Sequence, residues 1–138
     1  MKTKVILTIN GIIHMFIGGF LWVAAIVIGK PFIDPIFQSK APGEVLTDGI
    51  YLVIASTVDT VAAFNIGIGA MLLVVRSIAD LDSARRVLAG QCVLVGCALL
   101  FSAFYNQIFM QGGPPIPVFV LLIISFSLAL YGSRKGTL

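Results

Sequence analysis

Charge is almost absent from four long stretches of this chain, and that constrains the fold more than any motif does. Fourteen of its fifteen charged side chains lie at the ends of, or between, apolar runs at approximately 5–29, 49–75, 87–112 and 116–133; only Asp59 lies inside one. From Val87 to Ser133 there is no Asp, Glu, Lys or Arg. A hydrocarbon core about 30 Å thick is crossed by about 20 apolar residues rising about 1.5 Å each. Every run therefore spans it or nearly so. The expected fold is an all-α integral membrane four-helix bundle, a single domain over residues 1–138.

Composition supports this and removes other classes. The chain is 59% hydrophobic and 11% charged, whereas a soluble domain carries about 25% charged residues. The longest hydrophilic segment, 30–48, is too short for a second domain. The pI near 9.1 does not indicate a nucleic-acid partner, because the basic residues are not gathered on one face. They follow membrane topology instead. Lys2, Lys4, Arg76, Arg85, Arg86, Arg134 and Lys135 fall on one side of a four-span arrangement, against Lys30 and Lys40 on the other. The positive-inside rule then assigns both termini and the second loop to the cytoplasmic side; a bacterial cytoplasmic (inner) membrane is the expected location. The first run is too long, and lacks the cleavage site, for a secretory signal, so an uncleaved first helix is expected.

Between the runs, Pro31, Pro35 and Pro42 exclude a long helix, and Phe32 and Phe37 suit a short interfacial cap outside the bundle. Residues 111–115 read Gln-Gly-Gly-Pro-Pro, a sharp turn joining the third and fourth helices. Short connections are expected to keep sequential helices adjacent. Cys92 and Cys97 are five residues apart, about 140° around a helix, so they cannot bridge and read as packing residues.

The segment Gly29-Lys30-Pro31-Phe32-Ile33-Asp34-Pro35 closes the first helix, a glycine-bearing second helix ends at Arg76, and Gly112-Gly113-Pro114 precedes the last. This pattern resembles the DoxX-like family of small four-helix membrane proteins and covers the length of the chain. The resemblance implies association with membrane redox and quinone-linked complexes, often as a partner of other subunits. Animal relatives look like assembly factors for other membrane proteins.

Polar residues inside the runs are the candidate sites. Asp59 lies near the midplane, where an intramembrane acid marks function by default. The stripe Ala55, Ser56, Asp59, Ala62, Ala63, Ile66, Ala70 is small, so Asp59 is expected to face the interior, either as a proton handler or as a packing residue. His14, the only histidine, lies at similar depth on the stripe Asn10, Gly11, His14, Gly18, Leu21, Ala25. A His14–Asp59 pair would satisfy both groups and relay a proton. Ser102, Tyr105, Asn106 and Gln107, with Trp22 at comparable depth, are candidate lining for a pocket that takes a quinone, a lipid or another apolar ligand with one polar end. Interface belts of Trp and Tyr account for much of the same pattern.

With one histidine, a monomer has no bis-histidine haem or multi-histidine metal site, so no cofactor and no metal are expected. No nucleotide-binding or hydrolase motif occurs. Three functions stay open. The first is an accessory or assembly subunit, contacting partner membrane proteins or its own copies through glycine-bearing faces. The second is a small membrane enzyme or binding protein for a quinone- or lipid-like molecule, using Asp59 and His14. The third is an oligomeric transporter.

Overall fold

The computed structural model describes residues 1–105, 108 and 116–138, with the backbone alone for 102–105. Helix α1 runs Thr3–Trp22 and continues as a π-helical segment, Val23–Ile28. Helix α2 is Lys30–Lys40, α3 is Asp48–Val75 and α4 is Leu81–Cys97, which passes into a second π-helical segment, Ala98–Tyr105. Helix α5 is Ile116–Lys135. Four helical stretches, Thr3–Ile28, Asp48–Val75, Leu81–Phe101 and Ile116–Lys135, are long and apolar enough to cross a membrane. The chain is an all-α integral membrane protein.

The boundaries follow from capping. Helix α3 starts where the Thr47 hydroxyl accepts from the Ile50 N–H at 3.3 Å. Helix α4 starts where the Asp80 carboxylate accepts from the Ser83 N–H at 2.8 Å. That cap carries α4 six residues further back than the apolar run, through Asp82, Arg85 and Arg86. A helix end needs only its orphan N–H groups satisfied, not an apolar sequence. The expected cap between the first two spans is more helical than its prolines suggest. Pro31 sits in the first turn of α2, where its missing N–H costs nothing, and only Pro35 interrupts the hydrogen bonding. Gly29 turns the chain into α2 with φ +69°, a conformation that favours glycine. The Tyr51 hydroxyl of α3 donates to the Ala25 carbonyl in the π-helical turn, at 3.3 Å. The expected sharp turn at 111–115 lies outside the described residues.

Helix α1 is the central element. It packs on α3, α5 and α4, and α4 packs on α5. Its contact with α3 is backbone-close. A Cβ on Gly18 would lie 2.6 Å from the Ala62 carbonyl oxygen, and one on Gly69 would lie 2.7 Å from that of Gly11. Small residues are what allow such an approach in lipid, where packing replaces the hydrophobic effect as the driving force. By contrast, α3 makes no extended backbone packing with α4 or α5 among the described residues. The expectation that all sequential spans are neighbours therefore holds for α1 with α3 and for α4 with α5, and fails for close packing of α3 on α4. A short loop ties their ends together, but α4 offers no glycine face to α3, and the two stand apart across a gap backed by α1.

Two apolar clusters fill the bundle. One joins Ile6, Leu7, Leu72, Leu88 and Ala129; the other joins Ile17, Leu21, Ala62 and Val118. The two chain ends meet at one end of the bundle. The Thr3 N–H donates to the Thr137 carbonyl at 2.7 Å, and the Arg85 guanidinium donates to the Gly136 carbonyl from Nε at 3.2 Å and Nη2 at 2.8 Å.

Candidate functional site

Between the two apolar clusters lies a layer of buried polar side chains: Asn10 and His14 of α1, Gln91 of α4 and Ser125 of α5. Half-buried Asn65 of α3 closes it. Helical spacing aims Asn10 and His14 the same way, one turn apart. The stripe expected to carry them is interior throughout: Asn10, Gly11, His14, Gly18, Leu21 and Ala25 are all buried.

Donor and acceptor chemistry orders the layer. The Asn65 amide donates to the Val61 carbonyl at 2.9 Å, which turns its Oδ1 toward His14 Nδ1, also at 2.9 Å. Nδ1 therefore carries the proton and Nε2 accepts. The Ser125 hydroxyl donates to Nε2 at 3.2 Å, and its oxygen accepts from Gln91 Nε2 at 3.1 Å. Gln91 Oε1 accepts from Asn10 Nδ2 at 3.1 Å, and Asn10 Nδ2 also donates to the Ser125 carbonyl at 3.3 Å. Each bond in this order joins a donor to an acceptor. Among the described residues one buried side-chain polar atom has no partner, Asn10 Oδ1. Such a group costs about 1–3 kcal/mol in a dry interior.

Ser125, His14 and Asn65 stand in the order of a nucleophile, base and orienting amide. Access decides against catalysis by Ser125. Its hydroxyl is fully buried, already accepts from Gln91 and is not in the wall of the cavity described next. A nucleophile has to reach its substrate, which this burial does not allow Ser125.

The hydrogen-bond chain ends at a cavity of about 360 Å³ in the gap between α3 and α4, backed by α1 and α5. Its walls are apolar (Ile17, Leu21, Val58, Ile68, Val95, Val118 and Leu122 among them), with His14, Asn65 and Thr57 as the polar members. The rim residues Val61 and Leu94 are 46% and 47% exposed, so the cavity opens sideways, toward where lipid lies. His14 has spent both ring nitrogens. Asn65 has not: one amide N–H goes to Val61, and the other meets no acceptor among the described residues. Thr57 donates to the Val53 carbonyl at 2.8 Å, which leaves its oxygen only accepting capacity. No Lys or Arg lines the cavity. A neutral molecule with a hydrogen-bond acceptor at one end matches this wall.

The other expected site residues fall elsewhere. Asp59 does not pair with His14 and does not face the interior. It is half-buried in a shallow groove on the flank of α3 and, among the described residues, has no hydrogen-bond or ion-pair partner. The buried positions of α3 are Ala55, Ala62, Gly69 and Leu72, so the expected stripe holds at Ala55 and Ala62 and is rotated elsewhere; Ser56, Ala63, Ile66 and Ala70 are exposed. Asn65 and Asp59 are six residues apart, about 120° around the helix, and both cannot face α1. Trp22 is 46% exposed and does not line the cavity. The side chains of Ser102 and Tyr105, and residues Asn106 and Gln107, lie outside the described residues. Asn65, Gln91 and Ser125 were missed. A signal existed for the first: Asn65 is the single amide in the run 49–75.

Comparison with protein-family models, with curated proteins and with solved structures found no match.

Proposed function

We propose that this protein is a membrane subunit that holds a neutral, apolar molecule with a terminal carbonyl, the quinone class among them, in the cleft between α3 and α4. The observation that carries this reading is the cavity of about 360 Å³ that opens sideways and presents the uncommitted Asn65 amide N–H on an apolar wall. Apolar walls with a few placed polar groups are the ordinary composition of a ligand site. The carbonyl accepts from Asn65, and the apolar body lies along Val58, Leu94 and Val118. The His14–Ser125–Gln91–Asn10 chain holds Asn65 in place from behind. A charged headgroup finds no counter-ion there.

The same reading keeps the accessory role, with the subunit attached to a larger, redox or quinone-linked membrane complex, as the resemblance to DoxX-like proteins implies. It keeps the cytoplasmic side for both chain ends and the bacterial cytoplasmic membrane as location. What supports the orientation is that seven of nine Lys and Arg residues belong to the end where the chain ends and Arg85 meet. Extraction into native nanodiscs followed by mass spectrometry of the bound small molecules tests the ligand. A neutral carbonyl-bearing molecule at about one per chain is expected. Phospholipid alone, in the ratio of the bulk membrane, sinks the reading.

A further inference from the structure

The flank of α3 beside its α1 seam carries a carboxylate that nothing in the described chain pairs. Asp59 lies 11 residues from the first residue of α3, so about 16 Å along a helix that crosses a core about 30 Å thick. It sits in a shallow groove of about 550 Å³ with Thr60, Ala63, Phe64, Gly67, Ile68 and Met71. Phe64 is 70% exposed and Met71 49% exposed, so the groove faces outward. Gly67 stands in open space among the described residues, where a Cβ would meet nothing within 4 Å, whereas one on Gly69 on the α1 side would clash. The Thr60 hydroxyl is committed to the Ser56 carbonyl at 2.8 Å and offers Asp59 no donor.

We propose that this flank docks a transmembrane helix of a different protein, one that carries a Lys or Arg at the depth of Asp59. Charge complementarity identifies the occupant. An acid at mid-depth is retained when it meets a partner, and a basic side chain satisfies it best in a medium without water. A second copy of this chain cannot supply one. All nine Lys and Arg residues lie outside the apolar runs, and the only histidine has both ring nitrogens bonded. Ala63 and Gly67, one turn apart, let a partner backbone come close enough for its basic side chain to reach the carboxylate. The inference rests on the accessory part of the proposed function and uses none of the cleft's polar residues, although Ile68 lines both.

The test uses the full chain in nanodiscs with a transmembrane peptide of about 22 Leu and Ala residues, bearing one central Arg, and association is read by energy transfer. The Arg peptide is expected to associate at least about tenfold more tightly than the same peptide with Leu at its centre. Asp59→Asn is expected to remove that difference. Gly67→Ile, which has open space around it and keeps the fold, is expected to weaken binding of the Arg peptide by a similar factor. Equal association of the two peptides, or full retention of the difference in Asp59→Asn, overturns the proposal. Efficient disulfide formation between two copies carrying Ala63→Cys, with Cys92 and Cys97 replaced by Ser, also overturns it, because the flank would then be a self-interface. None of these outcomes bears on ligand binding in the cleft, so failure here is distinguishable from failure there.

Discussion

Helix α3 has two seams, and they differ in almost every respect. Against α1 it is sealed, with Gly11 and Gly18 facing Ala62 and Gly69 so closely that carbonyls touch where side chains would be. Against α4 it is open, and the gap is the cavity walled by Val58, Val61, Leu94 and Val118. Loop length does not explain the difference, since the loop between α3 and α4 is the shorter of the two that flank α3. Residue size does. Where both helices present glycine or alanine at helical spacing the backbones meet, and where branched residues face each other they stand apart and leave volume between them. In lipid no hydrophobic effect closes such a gap, so a cleft persists that a water-soluble core would collapse.

The largest effect is expected from breaking the sealed seam. Gly18→Leu places a Cβ 2.6 Å from the Ala62 carbonyl, so the helices have to part. The expected loss is about 3 kcal/mol or more, read by denaturant titration of the protein in mixed micelles. A loss below about 0.5 kcal/mol contradicts the account of this seam.

Next comes the polar layer between the seams. Gln91→Leu removes the acceptor for Asn10 and the donor to Ser125 together, which is expected to cost about 1–3 kcal/mol in the same titration. Because the chain continues through His14 to Asn65, the variant is also expected to weaken ligand binding, although Gln91 is not in the cavity wall. If stability falls while binding is unchanged, the layer does not position Asn65.

A small effect is expected at one helix end. The Asp80 carboxyl is held below its ordinary range, first by the hydrogen bond from Ser83. A lowered value in the folded state means that the cap stabilises α4 above the ordinary carboxylate range, and that this is lost as pH falls through the folded value. Melting followed from neutral to acid pH is expected to show a slight drop there that Asp80→Ala lacks. Being fully exposed, this group shifts the curve less than either seam does.

How much of this was legible follows from what a membrane helix conceals. Four spans and their approximate limits were readable because the medium demands length and apolarity. The inward stripe of α1 was readable because Asn10 and His14 are polar in an otherwise apolar helix and share one face. The rotation of α3 was not. Two small-residue stripes run along it, one through Ala55, Ala62 and Gly69 and the other through Asp59, Ala63 and Gly67. With no water to claim a polar side, amphipathicity gives no vote between them. The carboxylate pointed to the wrong stripe, and only the matching glycines of α1 select the right one. The cleft was illegible for a related reason: it exists because two helices fail to meet, and a failure to meet belongs to a pair of helices rather than to either sequence.

The central claim is that the open seam is a binding site, and a titration of the nanodisc-embedded protein with decylubiquinone tests it most directly. Wild-type chain is expected to bind saturably, and Val61→Phe, which fills the rim without touching the polar layer, is expected to weaken binding at least about tenfold, equivalent to about 1.4 kcal/mol, with unchanged stability. Equal affinity in the two proteins, or no saturable binding to either, contradicts it.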